Sequence, residues 1–279
     1  MEPRELLKIE NLEIRYRTDE SPSSAVISRF NLEIFPGETL ALVGESGCGK
    51  TTIALAILRL LDFPGQIIGG KIFYNGENLL ALPEKRLRQI RWKEIAMIFQ
   101  EPAAVLNPLR RVGSQVAEAL RLHLGLDAKT ARQKTLQLFA QVSLAEAPRC
   151  FAAYPHELSG GMRQRAMIAM AIACQPKLII ADEPTTALDV CTQQEVLDCL
   201  LRLKHEMGLS LLFISHNLAL VAKFADRLTI MHQGKIVEVG ATAEVLERPR
   251  HAQTCRLSEA ARRFSPESFS TKGISHILN

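Results

Sequence analysis

No apolar run approaches the roughly 20 residues that a bilayer-spanning helix needs. One of the longest, "AMIAMAIAC" at 166–174, stops at nine. The start, "MEPRELLKIE", is acidic and weakly apolar, so no signal peptide is expected. Charge of one sign is also scarce: 34 Lys and Arg stand against 30 Asp and Glu, a net charge of +4 spread along the chain. The concentrated basic footprint of a dedicated nucleic-acid binder is absent, and no nucleic-acid partner is expected. The six cysteines form no CxxC pair, and several fall in helix-like patterns. That argues against a disulfide framework and for a reducing compartment. What remains is 279 residues with 47% hydrophobic content, enough to fill the core of one large α/β domain or two modest ones.

"LLKIENLEIRY" and "SAVISRFNLEI" alternate as strands do, with "FPGE" as a turn after the second, which predicts an antiparallel β region near the start. Strand-like runs recur at "KIFYNG", "IAMIFQ", "KLIIAD", "LSLLFIS", "RLTIMHQG" and "KIVEVG", separated by helix-like segments, which predicts an α/β sheet. From about 107 to 174 the periodicity is helical without convincing strands, which predicts a helical subdomain inserted into the sheet domain. The polar, serine-rich end has little to bury and reads as a mobile tail at 261–279.

"GESGCGKT" at 44–51 lies between the apolar run "TLALV" and the helical pattern "TIALAILRLL". Glycine weakens helices and strands alike, so this density is tolerated where a backbone turns sharply or lets a ligand come close. The spacing fits the phosphate-binding P-loop, in which Gly44, Ser46, Gly47 and Gly49 bring amide N–H groups and a helix N-terminus to an anion. Lys50 would reach the β and γ phosphates of a nucleoside triphosphate, the Thr51 hydroxyl would ligate Mg²⁺, and Thr52 follows on the same helix. The bland reading is a glycine-rich turn with a solvated lysine; the strand before and helix after it favour the P-loop.

"KLIIADEP" at 177–184 is an apolar strand ending in two carboxylates. Asp182 could hold Mg²⁺ with Thr51, and Glu183, one residue on, could orient or deprotonate the attacking water. Alone, such a pair is more often a helix cap or turn. "ELSGGMRQR" at 157–165 places Ser159, Gly160 and Gly161 before a long helical pattern: either an ordinary capped helix start or a second phosphate cradle.

The order of P-loop, Gln100 ending "IAMIFQ", "LSGGM", "ADEP", "TALD" and His216 after "LLFIS" resembles the nucleotide-binding subunits of ABC transporters over residues 6–249. The resemblance implies an α/β fold: a P-loop NTPase core sheet with an antiparallel β region and an inserted helical subdomain, occupying 1–260. It implies ATP and Mg²⁺ as cofactors, with Thr51, Gln100 and Asp182 toward the metal, Glu183 on the water and His216 sensing the γ phosphate. Tyr16 resembles the aromatic that stacks on adenine, although its own strand context equally suits an ordinary strand aromatic. "TALD" resembles the loop through which two cassettes touch. In that family two cassettes close head to tail, so that Ser159, Gly160 and Gly161 of one meet the ATP held by Lys50 of the other. Met162 departs from the glutamine more common in the signature.

"RWKEIAMIFQEPAAVLNP" and "ERPRHAQTCRL" narrow the resemblance to importers of oligopeptides, dipeptides and nickel. This implies integral-membrane permeases and a second cassette as partners, a solute-binding protein indirectly, a peripheral place at the cytoplasmic face of the inner membrane, and peptides or nickel as the solute. Two other readings compete: a soluble ABC protein acting on ribosomes or DNA, disfavoured by the lack of tandem cassettes, and a regulatory subunit without turnover, disfavoured by the presence of Lys50, Asp182, Glu183 and His216. Cys48, inside the P-loop at a helix N-terminus, is expected to be the most nucleophilic of the cysteines.

Overall fold

A computed structural model describes residues 4–16 and 26–264. The expected mobile tail lies, from residue 265 on, outside them; its first residues belong to the helix Ala252–Phe264. The chain divides into two compact units, one made of the stretch up to Leu82 together with the chain from Ser210 on, the other of Pro83–Leu209.

In the first unit, Leu7–Tyr16 buries Leu7 and Ile9, then Leu12 and Ile14. The three-residue step between Ile9 and Leu12 breaks the two-residue period, and the register to both neighbouring strands shifts there, with Asn11 at φ 48°. This is a bulge: the extra residue lets the strand keep one face apolar on both sides of it. The strands lie in the order Ile27–Ile34, Leu7–Tyr16, Gly65–Tyr74, Glu77–Asn78, all antiparallel: the two strands before the P-loop pair as expected, and two strands that follow it complete the sheet, so "KIFYNG" belongs here and not to the α/β sheet.

A second set of strands in this unit runs Lys235–Ala241, Arg227–His232, Thr39–Gly44, Ser210–Ser215. Thr39–Gly44 is buried at every position and parallel to both neighbours, which is why "TLALV" reads as a continuous apolar run rather than an alternation. Val43 pairs with Ser215 on one side and Ile230 on the other, so the three strands end at one level. Whatever follows each strand is therefore delivered to the same edge.

In the second unit, Ile95–Ile98 and Leu178–Asp182 are parallel and in register from Ile95 opposite Leu178 to Ile98 opposite Ala181. The chain between them is helical, chiefly Val112–Leu124, Ala128–Gln141 and Gly160–Ile172. Val112, Val116 and Leu120 bury one stripe of the first of these. Each such side chain contributes about 1.5–3 kcal/mol when fully buried. Asp127 starts the second by accepting from the N–H groups of Lys129 and Thr130 at 2.9 and 3.1 Å. Arg165 crosslinks the unit, donating to the Val142 carbonyl at 2.8 Å and to Glu195 at 2.9 Å.

Candidate active site

The P-loop takes the shape its glycines permit. A Cβ at Gly44 would stand 2.4 Å from the Met231 carbonyl oxygen, and Gly47 and Gly49 lie at φ 79° and 103°. The loop is thus pressed against the end of Arg227–His232 and turns into the helix Lys50–Ile57 through backbone that side chains rarely adopt. Lys50 is only 5% exposed, and its ammonium donates to the Gly44 and Glu45 carbonyls at 2.9 and 3.0 Å. A buried cation bonded to carbonyls of its own anion-binding loop is placed to exchange those partners for phosphate oxygens.

Tyr16 pairs with Gly65 in the antiparallel sheet, and its hydroxyl lies 3.4 Å from Thr52 Oγ1, so the sheet edge and the P-loop helix meet at this ring. Thr51 is exposed at the helix start. His216, also exposed, directly follows Ser215 and so leaves its strand beside the one that feeds the P-loop. Asn217 then caps Leu218–Val221 by accepting from the Leu220 N–H at 3.1 Å.

One support was not legible in the sequence. Gln233 and Gly234, at φ 46° and 74°, form the two-residue turn of the hairpin joining His232 to Lys235. The Gly234 N–H donates to the Cys48 carbonyl at 3.2 Å, and its own carbonyl accepts from the Ser28 N–H at 3.2 Å. The turn therefore ties the P-loop to the strand Ile27–Ile34.

Cys48 itself corrects an expectation. Burial pushes its thiol above the ordinary cysteine range, outweighing Lys50 and the local N–H groups that pull it down. The helix N-terminus does not bring the thiol below the ordinary range. All six cysteines are free thiols, and Cys191 is the exposed one.

In the second unit the strand register places Gln100 and Glu183 at matching positions, two residues past Ile98 and Ala181. Gln100 Nε2 approaches Glu183 Oε2 at 3.5 Å, and the Thr186 hydroxyl donates to the same oxygen at 3.0 Å. Asp182, at the strand end, is 2% exposed, whereas Glu183 is half-buried with φ 45°. The two adjacent carboxylates thus sit in different surroundings.

Ser159 caps the helix Gly160–Ile172 by accepting from the Met162 N–H at 3.2 Å. The two glycines after it differ in surroundings. Gly160 is exposed and a Cβ there would meet only Leu188, at 3.5 Å, whereas at Gly161 it would strike Thr192 Cγ2 at 2.4 Å. Gly161 is needed for close packing against the helix Val190–Met207, whereas Gly160 lies at the exposed helix start. A cavity of about 260 Å³ gathers Gln100, Gly160, Arg163, Ala187 and Leu188, so the ends of three motif segments share one space.

A glycine-cradled lysine after a buried parallel strand, with an acidic strand end in the same chain, defines a P-loop nucleotide-binding protein. The ABC transporter family matches residues 27–186, and the chain belongs to that family. It is 48% identical over 262 residues to the peptidoglycan transport ATP-binding protein YejF of Agrobacterium fabrum, covering 94% of this chain and 48% of that one; the chain thus spans about half of that relative's length. It is 42% identical over 262 residues to the dipeptide transport ATP-binding protein DppD of Escherichia coli, covering 94% of this chain and 80% of that one. Among solved structures it resembles the ATP-binding cassette MJ0796, dimeric in a post-hydrolysis state with ADP and Pi. The TM-score is 0.75 at 28% identity, over 85% of this chain and 98% of that one. No helix among the described residues is long and apolar enough to cross a membrane.

Proposed function

We propose that this chain is the ATP-hydrolysing subunit of an ABC importer that drives uptake of peptides through separate membrane permeases. It works at the cytoplasmic face of the inner membrane, paired with a second cassette and served by a solute-binding protein. The reading is supported by membership of the family and by relatives whose names refer to dipeptide and peptidoglycan transport. The observation that carries the chemistry is the P-loop, with buried Lys50 held on carbonyls inside a glycine cradle. In this proposal residues 1–260 form the ATPase domain, with the helical segment about 107–174 inserted.

Each site residue has a role in this proposal. The amides of the Gly44–Thr51 segment, with Ser46, Gly47 and Gly49, bind the phosphates; Lys50 neutralises them; Thr52 and Tyr16 bound the nucleotide side of the loop, with Tyr16 against adenine. Thr51, Gln100 and Asp182 would supply hydroxyl, amide and carboxylate oxygens, and oxygens of these kinds are the hard donors that Mg²⁺ takes. Mg²⁺, when bound, neutralises charge building on the β and γ phosphates. Glu183 orients the water and accepts its proton, and His216 donates toward the γ phosphate. Ser159, Gly160 and Gly161 serve the nucleotide of the second cassette.

The test is isolation of the tagged chain from membranes, followed by uptake of labelled di- and oligopeptides into proteoliposomes containing the isolated complex and its binding protein. Co-isolation of integral-membrane subunits and ATP-dependent peptide uptake are expected. Isolation with ribosomes instead, or nickel uptake without peptide uptake, would refute the function or the solute respectively.

A further inference from the structure

The segment Thr186–Asp189 is expected to touch a second cassette, but its first residue reaches inward. The Thr186 hydroxyl donates to Glu183 Oε2 at 3.0 Å, and Gln100 Nε2 approaches the same oxygen at 3.5 Å. A tight turn makes this reach possible: the Thr186 N–H donates to the Glu183 carbonyl at 3.3 Å, and Glu183 itself occupies the left-handed region. A glutamate adopts that region at a cost, and its neighbours must hold it there.

Both ends of the turn are held. Asp182 ends the buried strand, while Gln193 donates to Thr185 Oγ1 at 3.0 Å and Asp189 accepts from the Thr192 N–H at 3.0 Å, capping Val190–Met207. Thr186 is therefore anchored close to the carboxylate although its side chain is exposed. A hydrogen bond from an exposed hydroxyl to a half-buried carboxylate adds little to folding, because water can replace the donor. What it does is direct a flexible side chain: holding Oε2 sets where Oε1 points.

We propose that Thr186 is a positioning residue that aims the Glu183 carboxylate at the attacking water. This rests on the reading of Glu183 as the base. It also joins two functions in one loop, since the residue that orients the base belongs to the segment expected to meet the second cassette. Displacing that segment would turn the carboxylate with it.

The experiment compares T186V, which keeps the branched shape but removes the hydroxyl, with T186S, which keeps the hydroxyl. The full chain is isolated with its membrane subunits, and kcat and KM for ATP are measured. T186V should lower kcat about tenfold, in the range expected when a reacting group is misaimed, with KM changed by less than about twofold. T186S should restore most of the rate. In an E183Q background, T186V should lower kcat no further, because the group it aims is gone. Equal losses in T186V and T186S would show that loop shape matters and the hydroxyl does not, and a wild-type rate in T186V beside a slow E183Q would overturn the positioning role alone. A wild-type rate in E183Q would remove the base assignment and the inference together.

Discussion

Replacing Gly234 by alanine should disturb both stability and nucleotide binding, and Gly37 provides the matched control. Both glycines have positive φ, 74° and 77°, so alanine at either pays about 1 kcal/mol for the left-handed conformation. The surroundings then separate them. A Cβ at Gly37 meets nothing within 4 Å, whereas at Gly234 it would lie 1.9 Å from the Val26 carbonyl oxygen and 2.8 Å from the carbonyl carbon. Backbone cannot rotate aside as a side chain can, so the hairpin turn must shift. That shift strains the Gly234 bonds to Cys48 and Ser28, each worth about 1 kcal/mol net. The total is about 3 kcal/mol for G234A against about 1 kcal/mol for G37A. At roughly 2–4 °C per kcal/mol for a chain of this size, G234A should melt about 6–12 °C lower and G37A about 2–4 °C lower. Since the Cys48 carbonyl belongs to the phosphate loop, G234A should also weaken ATP binding about tenfold, equivalent to about 1.4 kcal/mol. Melting followed by circular dichroism and titration with a fluorescent ATP analogue measure the two effects. If G234A matched G37A in both, the role assigned to the turn would be refuted.

K50A should abolish most ATP hydrolysis by the isolated transporter, because no other cation in the loop faces the phosphates; near wild-type phosphate release would overturn the P-loop assignment. E183Q should bind ATP nearly as well as wild type, hydrolyse it far more slowly and accumulate as a nucleotide-filled cassette pair on size exclusion with Mg-ATP. An E183Q sample that stayed unpaired while retaining ATP would contradict this. Because burial raises the Cys48 thiol above its ordinary range, little of it is thiolate at pH 7, and the fraction grows only as pH rises toward that raised value. Maleimide at neutral pH should therefore label exposed Cys191 well before Cys48, and peptide mass mapping that found Cys48 first would contradict the burial argument.

Much of the chemistry was legible because it is local. A P-loop needs glycines, a lysine and a hydroxyl within eight residues, and the flanking strand and helix announce themselves by apolar runs. The same holds for "IIADE", where a buried strand must be apolar until the edge at which carboxylates emerge. Elements whose buried face is polar were harder to read. In the helix Ala252–Phe264 the buried residues among the described side chains are Gln253, Thr254, Ser258 and Ala261, all small or polar, so the stripe that faces inward is set off by the charged residues opposite it rather than by an apolar run. Gly65–Tyr74 begins six residues before "KIFY", and its first half was hidden because Gly69 and Gly70 interrupt the apolar pattern; Gly69 pairs with Glu13, while Gly70, at φ 90°, lies where the register shifts.

By itself, then, the sequence determined the order of elements, the phosphate loop and the residue types available for ATP chemistry, since each depends on neighbours along the chain. Tertiary structure alone decided which groups those residues touch. That Gly234 braces Cys48, that Gly161 yields to Thr192 while Gly160 stays open, and that Thr186 and Gln100 converge on one oxygen of Glu183 all depend on segments brought together by packing. The thiol of Cys48 makes the physical reason plain. Its sequence position predicts a lowered pKa from the helix N-terminus, but desolvation, which depends on everything packed around the sulfur, acts in the opposite direction and prevails.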